Sequence, residues 1–502
     1  MSNKPEKESD NMRPHRITTI GLISLLAVIL ATPAAAATRH ADERPIDFGK
    51  QWVRSHPFTL MGLTVQTMAM EDDKYANVGF NTMLAWEGRD GIFAGAVRMG
   101  LPYHFRTHTN RTLDDVVKKY VRRMIETYPG AEAILTWDEP VRPELVEGAK
   151  ILDWVREQWP NLLCYSNAYP YDGMPGRFYG AKWTGPGTYE APPHPYTYDD
   201  YLDDFAQILR PDVLMVDPYP YEEPPEGTDT EYLQQNFFQC LASARGAAKR
   251  AGIPYWTFVQ SFSYKGYRRR PSESDLRMQV YASLAYGFTG IAYFLFDHGY
   301  DAGLLKGKKE QAVTPLYHHA TKLNREVAHL GRTLRFLTST AVRHVPGRFD
   351  EIDPQAINST PAGLRVYARQ ETIGRLRDIR VEGTGRDYNA LIGFFRDDDD
   401  GEYFVLVNLR RGRDKRADDV PLKVTLTFEQ SVTKLGQLSR QTGEPELIAV
   451  PLKPWPDHLH LPHAKDAVVP RLTIVLPGGT GELFKLDDHE FPGLNEAMPN
   501  PE

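Results

Sequence analysis

The chain has 502 residues, of which 41% are hydrophobic and 11% aromatic, and its formal net charge at pH 7 is −7. This length suffices for a large barrel and one further domain, each with a buried core. The mild negative charge argues against a nucleic-acid-binding protein, which normally shows a basic stripe.

The first 37 residues carry the pattern of an export signal. An apolar run over residues 17–30 follows the basic Arg13 and Arg16, and the small-residue segment ATPAAAA comes next. This order predicts a signal peptide over residues 1–37. A membrane anchor is the alternative, but the run is shorter than the about 20 residues that span a bilayer. We expect cleavage, no membrane span in the mature chain, and a periplasmic or extracellular protein.

From residue 58 to 299 short apolar runs alternate with longer amphipathic ones. Helical patterns cover residues 113–128, 141–159, 198–209, 231–251 and 273–286, and another follows over 314–337. The apolar runs are FTLMGLTVQ, GFNTMLAW, GLPYHF, EAILTWDEP, LLCYSNAYP, VLMVDPYP, PYWTFVQSF and GIAYFLFDHG. Eight such strands alternating with helices predict an α/β fold, a (β/α)8 TIM barrel over residues 38–339. An open doubly wound sheet would carry a glycine-rich turn after its first strand, where this chain has VQTMAMEDD.

The pattern changes after residue 340. Runs such as GLRVYAR, EYFVLVNL and LKVTLTF, separated by charged or Gly/Pro turns, predict a small antiparallel β-sandwich over residues 340–490. We expect residues 491–502, which are polar and proline-rich, to form a disordered tail. Cys164 and Cys240 are expected to be buried thiols, and no metal-binding spacing is present. The sequence therefore predicts no metal and no cofactor.

Active sites of such barrels lie at the C-terminal ends of the strands. Most predicted strands end in a polar or aromatic cluster, so these side chains are expected to meet at one mouth. The candidate catalytic carboxylates are Glu139, Asp217, Asp138 and Asp297, and the candidate substrate-binding residues are Trp86, Glu87, His104, Trp137, Asn167, Tyr169, Tyr219 and Gln260. The alternative is that Asp297 braces the barrel rim and that His104 and the aromatic residues only pack.

Asp138 and Glu139 close the fourth predicted strand, and Pro140 suits the first position of a following helix. Cleavage of a glycosidic bond requires an acid for the leaving oxygen and a second carboxylate as base or nucleophile. Because adjacent strand residues point to opposite sides, we expect one of the two acids to face the cavity and the other to brace a neighbour. The alternative for Glu139 is a helix cap.

The segments ILTWDEP, PDVLMVDPYP, PYWTFVQSF and RPSESDLRMQVYASLAYGFTGIAYFLFD resemble bacterial glycoside-hydrolase barrels related to the retaining clan of β-galactosidases and cellulases. The resemblance covers residues 50–480, and its sharp motifs span the fourth to eighth strands. It implies a catalytic acid/base glutamate at the end of the fourth strand, which is Glu139 here, and an appended all-β domain.

One position departs from this resemblance. The clan places its nucleophilic glutamate at the end of the seventh strand, where this chain has Gln260, and an amide cannot form the glycosyl ester. The second carboxylate could come instead from Asp217, Asp297 or Glu87. Inversion is also open, since it uses a carboxyl gap of roughly 6.5–9.5 Å that holds a water.

Two further mechanisms remain. The Asp138–Glu139 pair, joined by Tyr219, could assist a substrate that carries a 2-acetamido group. Otherwise the barrel binds carbohydrate without cleaving it. A metal-dependent hydrolase is disfavoured because no His-x-His pair ends the first strand, and His104 and His108 are the closest histidines. The sequence therefore predicts an exported glycoside hydrolase acting on an oligo- or polysaccharide, with a non-catalytic carbohydrate-binding barrel as the alternative.

Overall fold

The computed structural model describes residues 45, 47–86, 88–107, 112–223, 236–297, 302–350, 352–353, 355–368, 373–454 and 468–495. Eight parallel strands close into a barrel in chain order, and the eighth pairs with the first. The strands are β1 Thr59–Thr64, β2 Thr82–Ala85, β3 Tyr103–Arg106, β4 Ala131–Asp138, β5 Leu163–Ala168, β6 Val213–Val216, β7 Tyr255–Gln260 and β8 Gly290–Phe294. The predicted (β/α)8 barrel is confirmed.

The described residues also form ten α-helices. Asp114 accepts a hydrogen bond from the Val117 amide at 2.9 Å, and Ser272 accepts one from the Asp275 amide at 3.1 Å. Such caps satisfy amides that have no partner in the first turn of a helix. The helices are α1 Phe48–Ser55, α2 Lys74–Asn77, α3 Asp90–Arg98, α4 Asp115–Thr127, α5 Leu145–Gln158, α6 Pro175–Tyr179, α7 Tyr198–Asp204, α8 Phe237–Ala251, α9 Glu273–Tyr286 and α10 Pro315–Leu334.

Helix α1, which precedes the first strand, closes the N-terminal end of the barrel. The ring of Trp52 lies 5.9 Å from that of Trp256 and 6.0 Å from that of His104, and the rings of His104 and Trp256 stack at 5.7 Å. Because Trp256 is the second residue of β7, these rings fill the N-terminal part of the barrel interior. The polar side chains at the strand ends therefore gather at the other end.

Two antiparallel sheets follow the barrel, and the predicted β-sandwich is confirmed. One has the order β9-β11-β12-β18-β14-β15 and the other β10-β13-β17-β16. Side chains from both sheets, among them Leu406 and Val424, share one core. The strands are β9 Thr338–Pro346, β10 Leu376–Glu382, β11 Asn389–Arg396, β12 Glu402–Asn408, β13 Leu422–Phe428, β14 Lys434–Leu438, β15 Pro445–Ala449, β16 Leu452–Pro454, β17 Val468–Leu476 and β18 Gly481–Leu486.

Helix α9 lies between the barrel and the sandwich and is buried at every position from 274 to 286. Arg277 of α9 donates to both carboxylate oxygens of Glu326 in α10, at 2.6 and 2.8 Å. Arg440 of the sandwich pairs with Glu326 at 3.1 Å and with Glu482 at 2.7 Å. This chain of ion pairs joins the two parts of the structure.

Cys164 and Cys240 are both buried, and they form no disulfide bond with each other. No helix in the described ranges is long and apolar enough to cross a membrane. The predicted signal peptide lies outside the described residues. At the other end, the ring of Phe491 lies 5.9 Å from that of Tyr403, and the Pro492 carbonyl accepts a hydrogen bond from Thr333. Residues 491–495 thus belong to the packed structure and not to the predicted tail.

Candidate active site

A bulge in β4 sets the direction of the side chains at its end. The pairing of β4 with β5 shifts register between Leu135 and Asp138, and such a bulge re-aims the residues that follow it. Leu135 points into the barrel, whereas Trp137 is 4% exposed and packs with the outer core beneath the helices. The expectation that Trp137 contacts substrate is therefore wrong.

Glu139 leaves the strand with a backbone φ of +49°. This left-handed conformation costs a residue with a side chain about 1 kcal/mol, and it is often found at functional sites. The Glu139 amide donates to the Asn167 carbonyl at 2.8 Å, which holds the turn against β5. The helix-cap alternative receives no support, because the next helical segment starts at Arg142 and the Glu144 carboxylate bonds the Val141 amide there.

Asn167, at the end of β5, connects the acidic residues of the neighbouring strands. Its side chain is buried, its Nδ2 donates to Asp138 Oδ1 at 3.1 Å, and it also forms a hydrogen bond with the Asp217 carboxyl. Asn167 therefore positions acids that come from β4 and from the end of β6. It contacts the carboxyl groups directly, where we had expected it to bind substrate.

Three carboxyl groups form one cluster at this end of the barrel. The Glu139 and Asp217 carboxyls lie close enough to act on each other's pKa, and the charge of Asp138 raises the pKa of both. Burial, followed by the charge of Asp138, raises the pKa of Glu139 to about 7. Burial and the charge of Glu139 raise the pKa of Asp217 well above its ordinary value. Like charges this close cannot all ionise, so the cluster retains protons at neutral pH.

Two arginines flank the carboxyl cluster. Arg177, in α6, lies 4.8 Å above the ring of Tyr169, pairs with Asp172 at 3.0 Å, and lowers the pKa of Glu139 by its charge. Arg106 of β3 is 4.0 Å from Asp138 and 3.9 Å above the half-buried ring of Trp86. Our sequence reasoning assigned no role to Arg177 or Asp172, because both lie in the loop region after β5, which has no periodicity.

Half-buried aromatic rings lie beside the acids at the strand ends. Tyr169, which follows β5, is near enough to Glu139 for that charge to raise its pKa. Tyr219, which follows β6, lies 5.4 Å from the ring of Phe262 and 5.5 Å from that of Phe294. Together with Trp86, these rings offer the flat apolar faces on which sugar rings stack.

Two predicted substrate-binding residues are placed elsewhere. His104 is fully buried in the N-terminal layer of the barrel, where burial lowers its pKa to about 3, and its Nδ1 is 3.2 Å from the Tyr165 hydroxyl. Gln260 is also fully buried. Its Oε1 accepts from the Tyr221 amide at 2.9 Å, and its Nε2 donates to the carbonyls of Tyr221 and Arg269. Both assignments to substrate binding are wrong. His104 packs inside the barrel, and Gln260 holds the loops at Tyr221 and Arg269 by hydrogen bonds.

Asp297 braces the turn after β1. Its Oδ2 accepts hydrogen bonds from the Thr64 hydroxyl at 2.9 Å and from the amides of Val65 and Gln66 at 2.8 and 2.6 Å. Burial raises its pKa to about 6 against these bonds. The rim-bracing alternative is thus the one that the structure supports, and we withdraw Asp297 as a catalytic candidate. Glu87 lies outside the described residues, as does His108.

In the described part of the chain, no group of three or more His, Cys, Asp or Glu side chains is arranged to hold a metal ion. In the cluster of Asp138, Glu139 and Asp217, Asp138 accepts a hydrogen bond from Asn167, and the three carboxyls act on one another's pKa. Its chemistry is that of carboxyl groups that exchange protons.

No known family profile matches the sequence, and no curated protein sequence matches it either. Solved structures do resemble the fold. An endo-β-1,3-glucanase of family GH128 from Sorangium cellulosum shares 16% identity at a TM-score of 0.34, covering 52% of this chain and 97% of its own. The α-galactosidase I from Mortierella vinacea shares 9% identity at a TM-score of 0.41, covering 90% and 96%.

A GH27 β-L-arabinopyranosidase from Geobacillus stearothermophilus shares 8% identity at a TM-score of 0.40, covering 90% of this chain and 99% of its own. All three of these proteins are described as glycoside hydrolases. A fold does not fix an activity, so the function is argued from the carboxyl cluster.

Proposed function

We propose that this protein is a glycoside hydrolase that uses Glu139 and Asp217 as its catalytic carboxyl pair. The observation that carries the proposal is the proximity of these two carboxyls at the C-terminal ends of β4 and β6, together with their raised pKa values. Barrel enzymes place their chemistry at this end of the strands, and glycoside cleavage requires two carboxyl groups.

Glu139 is the better acid of the pair. Its pKa of about 7 lets it hold a proton near neutral pH and still release it. It is also the more exposed of the two, whereas Asp217 is 7% exposed. Glu139 can therefore exchange protons with solvent between turnovers. In this mechanism Glu139 protonates the leaving oxygen as the glycosidic C–O bond breaks.

Asp217 is assigned the second carboxylate role. The proximity of Asp217 to Glu139 favours the shorter carboxyl separation of about 5–5.5 Å that retaining enzymes use over the separation of about 6.5–9.5 Å in inverting enzymes. Contact between the two groups lowers the pKa of Glu139 and raises that of Asp217, so the proton lies on Asp217 in the free protein. The mechanism requires that this proton passes to Glu139 when substrate binds. Asp217 then forms the bond to the anomeric carbon, and water activated by Glu139 releases the sugar with retained configuration.

The pattern of contacts around Gln260 favours this assignment over the expected seventh-strand nucleophile. Gln260 is a loop-fixing residue, so the second carboxylate has to come from another strand, and Asp217 is the acid that contacts Glu139. The carbohydrate-binding alternative rests on the same glutamine, and it predicts glycan binding without turnover. Export of the protein, predicted from residues 1–37, remains part of the proposal.

The test is hydrolysis of a panel of aryl glycosides and oligosaccharides by the wild type, Glu139→Gln, Asp217→Ala and the surface control Asp153→Asn. Wild type and control should hydrolyse at least one substrate with retention, as followed by NMR. Azide should rescue Asp217→Ala by forming a glycosyl azide. Turnover by Glu139→Gln at the wild-type rate would contradict the proposal, and glycan binding without any turnover would favour the binding protein.

A further inference from the structure

A cleft of about 320 Å³ lies between the barrel helices and the sandwich, away from the carboxyl cluster. Its walls come from α8, the last residue of α9, strand β9 and residues 363–365. Helix α9 ends at Tyr286, just before β8 begins at Gly290. The cleft is therefore near the N-terminal end of the barrel strands, whereas Glu139 and Asp217 are at the C-terminal end.

The cleft is lined by three arginines, Arg245, Arg343 and Arg365, and by no carboxylate among the described residues. Arg245 Nε donates to the Ser339 hydroxyl at 2.8 Å, and its Nη2 donates to the Ser339 carbonyl at 3.2 Å. Lys249, one turn further along α8, donates to the same carbonyl at 2.6 Å. Two cations thus share one neutral acceptor, and within the described ranges neither forms an ion pair with an acid.

Arg245 and Lys249 bring two positive charges close together at this place. The pKa of Lys249 is lowered, first by burial and then by the charge of Arg245. Arg250, on the same helix but outside the cleft, differs from these two residues because it forms an ion pair with Asp203 at 2.7 Å. An excess of arginine side chains in a concave, partly buried place favours binding of an anion.

A buried hydroxyl gives a second, independent indication. Tyr286 lines the cleft, is 2% exposed, and its hydroxyl has no hydrogen-bond partner among the described residues. Arg245 is near enough to act on the pKa of this hydroxyl. A buried polar group without a partner destabilises a fold unless something binds it. A ligand oxygen would provide the missing acceptor.

We propose that this cleft binds a tetrahedral oxyanion, a phosphate or a sulfate, either free or as an ester on a sugar. The guanidinium groups of Arg245 and Arg365 match the paired oxygens of such an anion, and the Tyr286 hydroxyl donates to a third oxygen. The site is separate from the catalytic pair and does not depend on the proposed hydrolase activity.

The probes are sodium phosphate, sodium sulfate, glucose 6-phosphate and glucose 6-sulfate, each titrated by calorimetry and by thermal melting against sodium chloride of equal ionic strength. We expect a saturable rise in melting temperature with these oxyanions and none with chloride. The Arg365→Gln and Tyr286→Phe variants should each bind about 10-fold more weakly. Tighter binding of the esters would identify a sugar ester as the ligand, and equal binding would identify the free ion.

Arg250→Gln is the matched control, because it removes one positive charge from the same helix outside the cleft. It should bind the probes as the wild type does. Arg365 is exposed, so its variant should fold, and its hydrolysis rate should be unchanged. The proposal is overturned if no saturable binding is found, or if Arg365→Gln, Tyr286→Phe and Arg250→Gln all bind like the wild type.

Discussion

The carboxyl groups of Glu139 and Asp217 lie close enough to act on each other's pKa across the ends of β4 and β6, two strands that are separated in the barrel by β5. Asn167 at the end of β5 spans the gap, because its side chain contacts acids from both sides. Three neighbouring strands thus bring together residues that are far apart in the chain. One proton can lie on either carboxyl of this pair. A glycoside hydrolase requires such a pair, with one carboxyl protonated as the acid and the other ionised as the nucleophile.

Glu139→Gln should lower kcat by about 100- to 10,000-fold for substrates whose leaving group needs a proton. The fall should be much smaller for aryl glycosides with activated leaving groups, because these depart without protonation. Steady-state kinetics on both substrate classes measures the difference. Equal losses on the two classes would argue against an acid role, and circular dichroism of the variant checks that the fold is intact.

The rate should fall as the pH rises through about 7, because the pKa of Glu139 is raised to that value and its proton is then lost. The Asn167→Ala variant removes hydrogen bonds that lower the pKa of Asp138 and of Asp217. The acidic limb of the profile, which follows ionisation of Asp217, should therefore move to higher pH in the variant. The measurement is kcat/KM against pH for both proteins, and an unmoved limb would exclude a positioning role for Asn167.

Stability should follow the same protons. Glu139 has a pKa of about 7 in the folded protein, against an ordinary value of 4.5 for an unperturbed glutamate. The folded state binds more protons between these values, so the free energy of unfolding should decrease as the pH rises from 4.5 to about 7. In Asp217→Asn this decrease should be smaller. Urea titrations at a series of pH values test it, and Asp153→Asn should follow the wild type.

The ion pairs at the junction should make a large contribution to stability. Glu326 binds Arg277 and Arg440 and is 9% exposed. Replacing Glu326 by Gln removes the negative charge that compensates two buried guanidinium groups. We therefore expect a loss of about 3 kcal/mol in the free energy of unfolding. The exposed pair of Asp153 with Arg210 should change stability by less than about 1 kcal/mol when Asp153 becomes Asn. Similar small losses in both variants would contradict this view of the junction.

Two tryptophans at the strand ends should behave oppositely. Trp137 packs under the helices, so Trp137→Phe should lower the melting temperature and leave KM within about twofold of the wild type. Trp86 is half-buried below Arg106, so Trp86→Ala should raise KM while the melting temperature changes little. Steady-state kinetics and thermal melts of the two variants test whether Trp137 serves packing and Trp86 serves substrate binding, as the bulge in β4 implies.

The amino-acid sequence by itself determined the architecture. A barrel strand is covered by helices on one face and by barrel side chains on the other, so its sequence is apolar at nearly every position. A strand of a β-sandwich has one buried and one exposed face, so its apolar and polar residues alternate between turns. The eight barrel strands and the two later sheets therefore lie where the pattern predicts them. The same pattern marked Glu139 and Asp217 as residues that follow barrel strands.

Only the tertiary structure decided which of the strand-end residues act together. The bulge in β4 directs the side chain of Trp137 outward. The side chain of Gln260 forms its hydrogen bonds with loop backbone, and helix α1 packs against His104 inside the barrel. A one-residue change of register reverses the side of every following side chain, and no local pattern shows it. Hydrogen bonds between distant segments, such as those of Asn167 with Asp138 and Asp217, depend on strand neighbours that only closure of the barrel creates.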